Sequence, residues 1–140
     1  MMAVLVRKIN RTALVAAAYE RASFLGMDAA ANVYEREVKR AHGDHYTSQA
    51  FRSTLSVRQS IRRTLPMRTK EGWYSRVGTK LRQPLYWELG HRNIFIRDGN
   101  GNPKFVRREI WKPTAIAQAQ AIRDAYARVV SRILEKKKTL

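Results

Sequence analysis

Cysteine is absent from the 140 residues. Disulfide scaffolds, Cys-ligated zinc, iron–sulfur clusters and thiol nucleophiles are therefore all excluded. Prolines number 4 and glycines 7. Long apolar runs are missing too. The longest near the N-terminus is 13–19, far short of the roughly 20 residues a spanning helix needs. The opening Met1-Met2-Ala3-Val4-Leu5-Val6 precedes Arg7 and Lys8, the reverse of a signal peptide's charged-then-apolar order. The expectation is a soluble protein made in the cytoplasm, with no membrane partner.

The scarcest commodity is negative charge. Eleven Asp and Glu face 28 Lys and Arg, a formal net charge of +17. Such a surplus calls for a polyanion or acidic protein partners, although it bears on encounter and solubility rather than on fold. The hydrophobic share of 44% is that of an ordinary globular chain. One domain spanning 1–140 is expected, with a lead-in at 1–11, a core at 12–135 and a basic tail at 136–140.

The apolar periodicity predicts an α+β fold: a small antiparallel sheet packed against a long N-terminal helix and a C-terminal helix, with an extended hairpin. Leu14, Ala18, Ala22, Leu25, Ala29 and Val33 recur at spacings of three and four, predicting a helix from Thr12 to Ala41. Gly26 followed by Asp28 is a candidate break. The alanine-rich stripe would lie on a sheet or on a neighbouring subunit. Alternation predicts strands at about Val57–Leu65 and Trp73–Val77, joined through the turn Thr69-Lys70-Glu71-Gly72, and at about Asn93–Arg97 and Lys104–Ile110. A turn-rich stretch, Asp98 to Pro103, separates the last two. Pro84 to Leu89 reads as a short helix stopped by Gly90, and the last helix starts at Pro113.

Candidate chemistry is sparse. Asp98, Asn100, Asn102 and Glu109 stand at positions 1, 3, 5 and 12 of a calcium-loop template. Position 6 is Pro103 where the loop needs glycine, and the flanks alternate like strands. Gly72, Gly78, Thr79 and Lys80 do not have the spacing of a phosphate loop. His42 and His45 beside Asp44 read as a helix end rather than a metal site. Glu88, among Tyr86, Trp87 and Leu89, lacks a catalytic partner. It is expected to accept bonds from backbone N–H groups or an arginine at an architectural corner made by Tyr86, Trp87, Glu88 and Gly90, with Gly90 at positive φ. No nucleophile–base pair is visible, so no enzyme, no cofactor and no metal are expected. Between Arg36 and Arg82 twelve basic residues face three acidic ones. Arg58, Arg62, Arg63, Arg68 and Lys70 form the candidate contact for DNA or an acidic partner. Phe51, Trp73, Tyr74 and Phe105 could offer stacking faces. The alternative reading is a solvated face.

The order of short motifs resembles that of the tailed-phage neck proteins, the tail-completion or head–tail joining family. The long helix is followed by Thr47-Ser48-Gln49-Ala50-Phe51-Arg52-Ser53, where the family has a Thr-Gly-x-Leu-x-x-Ser pattern. Val77-Gly78-Thr79 matches a strand ending in Val-Gly-Thr. Tyr86-Trp87-Glu88-Leu89-Gly90 matches a Tyr followed by Glu-aromatic-Gly, with Leu89 in place of the aromatic. Trp111-Lys112-Pro113-Thr114-Ala115 matches a Pro-Ala helix start. The likeness spans about residues 10 to 135. It implies a structural subunit of the virion, made in the host cytoplasm and placed at the head–tail junction. Such subunits form a ring, hexameric or dodecameric, that joins the head connector or portal-side protein to a tail terminator or tail tube protein around the genome DNA. Asp98, Asn100, Asn102 and Phe105 would then be inter-ring or subunit contacts. The alternative function is a free basic nucleic-acid-binding protein.

Overall fold

The computed structural model describes residues 2–43, 55–107 and 109–138. The chain is α+β, with helices dominating. The first helix, α1, runs unbroken from Met2 to Gly43. It includes the expected lead-in, because neither proline nor glycine occurs before Gly26 to stop it. Gly26 does not break it either. A Cβ there would lie 2.9 Å from the Tyr126 ring and 2.9 Å from Val130, so the glycine is where a second helix comes closest.

That second helix is α5, Ala119–Lys138. It follows α4, Trp111–Ala117; the expected single helix is divided at Gln118, whose backbone leaves the helical region at φ −98°, ψ 6°. Tyr34 of α1 reaches Trp111, whereas Gly26 meets Tyr126 and Val130. As the C-terminal chain advances, its contact on α1 retreats, so α1 and α5 run antiparallel. The alanine stripe therefore packs on a helix, not on a sheet. Of the expected stripe Ala18 and Ala22 are buried, Leu25, Ala29 and Val33 are half-buried and Leu14 is exposed; Ala30, Ala31 and Val38 are the other buried apolar residues of α1. Small side chains bring helix axes close, and the bulk comes from the α5 side.

Between the helices the strands pair antiparallel, as expected, but as three separate two-stranded ladders rather than one sheet. Strand β1, Arg62–Arg63, pairs with β4, Val77–Gly78. Strand β2, Met67–Thr69, pairs with β3, Gly72–Tyr74, around the Lys70-Glu71 turn. Strand β5, His91–Arg97, pairs with β6, Pro103–Val106. The expected strand from Val57 is instead helix α2, Leu55–Ser60. Val57 and Ile61 are both fully buried while Gln59 is exposed, which is helical i, i+4 spacing and not alternation. The Ser60 hydroxyl also donates to the Val57 carbonyl at 2.6 Å. The expected strand Trp73–Val77 is divided between two ladders at Ser75 and Arg76. There the Ser75 hydroxyl donates to the Thr64 carbonyl (2.7 Å), and the Arg76 N–H donates to the Thr64 hydroxyl (3.0 Å).

Helix α3, Gln83–Leu89, carries Pro84 in its first turn and stops at Gly90. Gly90 has φ 88°, and its N–H donates to the Tyr86 carbonyl at 2.8 Å. A side chain at Gly90 would run into the Phe105 ring, so glycine is required there twice over. The apolar core at this end joins Val57, Trp87 and Ile110, with Ala41 and Trp111 packed on it.

Candidate functional site

Two constructions hold the non-helical middle of the chain. The first is acidic. Glu20, Asp28 and Glu35 are spaced eight and seven residues apart on α1, which places them on one helical face. The residues that meet them come from the first two ladders and, for Lys39, from α1 itself. The Arg63 Nε donates to Asp28 Oδ1 at 3.0 Å, and its Nη1 donates to Glu35 Oε2 at 3.0 Å. Lys39 donates to Glu35 Oε1 at 2.7 Å. Arg68 pairs with Glu20. Phe24, on the same face, meets Trp73 edge to face at 6.0 Å. Burial alone would raise the Glu35 carboxyl. The hydrogen bonds and charges of Lys39 and Arg63 outweigh that and hold its pKa below the ordinary carboxylate value. Arg63 is shifted upward by its hydrogen bonds to Asp28 and Glu35.

The second construction is the corner where α3, α4 and the end of α1 meet. Trp87 is only 3% exposed. The Glu88 carboxylate accepts the N–H of Ile110 and, at 2.7 Å, that of Trp111. These groups open α4, so the carboxylate satisfies donors that no helical carbonyl can reach. The same bonds turn the chain away from β6, which ends at Val106 rather than at the expected Ile110. Arg107 donates to the Glu88 carbonyl at 2.9 Å. The Tyr34 hydroxyl donates to the Trp111 carbonyl at 2.9 Å. Its pKa is raised, by burial first and by the Glu88 charge second. His42 is fully buried, its ring 5.3 Å from that of Trp87 and 6.0 Å from that of Trp111. Glu88 Oε1 is committed to two backbone donors, an arrangement that fixes a chain turn.

The remaining sequence candidates are scattered. At the β5–β6 tip, Asp98 Oδ1 accepts the N–H of Asn100 (2.9 Å) and of Asn102 (3.0 Å). This carboxylate oxygen thus shapes the exposed turn. Phe105, two residues past the tip on β6, lies against Gly90 and is still 58% exposed. Tyr86, expected with Trp87 at the corner, is 51% exposed. Arg63 and Arg68 are committed to α1, so the proposed basic set does not form one face. Arg62 and Lys70 are exposed and Arg58 half-buried. Asp44, His45 and the whole Thr47–Ser53 motif, Phe51 included, lie outside the described residues. Among the described residues no cluster of three metal-ligating side chains forms, and no helix is long and apolar enough to cross a membrane.

The sequence reading missed three contributors: Gly26 as a packing glycine, Tyr34 as a tie to α4, and the acidic face of α1. The last had a signal, the 8-and-7 spacing of Glu20, Asp28 and Glu35. Comparison with known protein families, with curated proteins and with solved structures finds no match to this chain.

Proposed function

We propose that the protein is a structural, non-enzymatic subunit that assembles into a ring, of the kind that joins head to tail at the neck of a tailed-phage virion around its DNA. One observation carries this reading: large apolar side chains left open to water on several separate elements. Leu14, Val15 and Tyr19 stand exposed on α1, Leu85, Tyr86 and Leu89 on α3, Phe105 on β6 and Ile116 on α4. Apolar surface of this kind gains about 25 cal/mol for each Å² covered. Surfaces at two places on one subunit are what a head-to-tail ring covers, since each interface joins two different faces. The motif order over about 10–135 supports the neck assignment. The Asp98–Pro103 tip would reach toward a neighbouring ring, and connector and tail proteins would be the partners above and below.

Negative-stain microscopy and mass photometry of the purified chain, alone and mixed with co-expressed connector and tail proteins, test the reading. Closed rings, formed alone or with those proteins, are expected. A chain that stays monomeric in every mixture overturns it; tight, salt-sensitive DNA binding by that monomer would establish the free nucleic-acid-binding alternative.

A further inference from the structure

Arg62 and Arg63 are adjacent in β1, so their side chains leave opposite faces of the ladder. Arg63 turns inward to Asp28 and Glu35. Arg62 turns outward. Its cross-strand partner is Gly78, and partners share a face. The β4 segment alternates in the same way: Arg76, Gly78 and Lys80 are exposed, whereas Ser75, Val77 and Thr79 are partly covered. The Thr79 hydroxyl confirms the inward direction, lying 2.6 Å from that of Ser60. One outer face therefore carries Arg62, Arg76 and Lys80 around Gly78.

This face differs from Arg63 and Arg68 in two respects. No carboxylate among the described residues pairs with Arg62, Arg76 or Lys80. Arg62 makes a long 3.5 Å contact with the Ile61 carbonyl, and Arg76 lies 5.5 Å over the Tyr74 ring. Meanwhile Asp28 and Glu35 are engaged by Arg63 on the other side of the ladder, and Glu20 pairs with Arg68 of the β2–β3 ladder. In addition, the middle of the triangle is open. Among the described residues nothing lies within 4 Å of the place where a Cβ would stand on Gly78, so a ligand can approach the backbone there.

We infer that the outer face of the β1–β4 ladder, Arg62, Arg76 and Lys80 around the open Gly78, is a contact surface for the phosphate backbone of nucleic acid. Arg76 and Lys80 flank the two-residue strand β4, at most about 13 Å apart along the chain, with Arg62 across from the glycine between them. A single small anion would meet only part of such a set; a polymer with a charge at every step meets all three. Contacts to phosphates carry no sequence information, so binding should be independent of sequence. The inference concerns a surface of the single chain and does not require the ring.

Fluorescence anisotropy with a fluorescein-labelled DNA duplex of arbitrary sequence tests it, with the full chain titrated between 0.05 and 0.2 M salt. The triple variant Arg62→Gln, Arg76→Gln, Lys80→Gln should flatten the slope of log affinity against log salt by about 2.7. Over that fourfold change in salt the native chain should then lose about forty times more affinity than the variant. Gly78→Asp should weaken binding as well, while Gly78→Ala should leave it intact. Gly78 is not among the glycines at positive φ, so both variants keep the backbone conformation, and equal melting temperatures would show it. Polyglutamate at equal charge should not displace the duplex. The inference is overturned if the native chain does not bind the duplex, if the triple variant keeps the native slope, or if polyglutamate displaces DNA, which would make the partner an acidic protein. It is also overturned if Arg123→Gln, Arg128→Gln, Arg132→Gln on α5 flattens the slope equally. Rings without these salt effects would overturn the phosphate surface alone; these effects without rings would overturn the ring alone.

Discussion

The α1–α5 seam and the ladders beside it are held by different forces. The seam is a small-residue contact: Ala18, Ala22, Gly26 and Ala30 on α1 are buried, and Tyr126 and Val130 stand against the glycine. No ion pair among the described residues crosses it. The ladders have two to four residues in most strands, too short to stand alone. The first two are fixed to α1 by Arg63, Arg68 and the Phe24–Trp73 contact. The difference explains the charge distribution. Three of the four acids of α1, Glu20, Asp28 and Glu35, sit where the ladders are held, and Glu37 pairs with Arg36 and Arg40 on α1 itself.

Damage to the seam should cost most. Gly26→Leu places side-chain atoms where Tyr126 and Val130 already stand. Overpacking costs about 1–3 kcal/mol, and with first contacts at 2.9 Å the loss should fall at the upper end in chemical denaturation. An unchanged midpoint would mean the helices are not in tight contact at this residue.

Arg63→Gln should come next. It removes charged hydrogen bonds to two carboxylates, each worth about 1.5–3 kcal/mol when intact. The side chain is about one-third exposed, so the net loss should lie near the lower figure. It should also change the acid limb. The Glu35 pKa is lower folded than unfolded, so its contribution is present above its ordinary value near 4.5 and fades as pH falls through the folded value. In Arg63→Gln that acid-side loss should shrink, with Lys39 retaining part of it. A full native acid limb in the variant would show that Glu35 is not held by Arg63.

The smallest effect belongs to Arg68→Ala. Arg68 and Glu20 are both more than half exposed, and such pairs contribute about 0–1 kcal/mol. A larger loss would mean that Arg68 supports the ladder through its packing on α1.

The parts of the fold that were legible in sequence are those decided by local chemistry. Pro84 and Gly90 bound α3 because one fits the first helical turn and the other takes positive φ. The Lys70-Glu71 turn and the Asp98–Pro103 tip follow from their turn residues. What was not legible depended on distant partners. Gly26 reads as a breaker until Tyr126 is placed beside it. Val57 and Ile61 fit either period, and the exposure of Gln59 decides between them. Arg58, Arg62, Arg63, Arg68 and Lys70 form one basic group in sequence, but the ladders send Arg62 and Arg63 to opposite sides.

That division of adjacent arginines is the central claim, and a paired comparison of Arg62→Gln with Arg63→Gln tests it most directly, with melting temperature and salt-dependent DNA affinity read on each. A crossed result is expected: Arg63→Gln melts lower with a native salt slope, and Arg62→Gln melts as the native chain does with a slope flatter by about 0.9. Equal effects of the two substitutions on both readouts would contradict it.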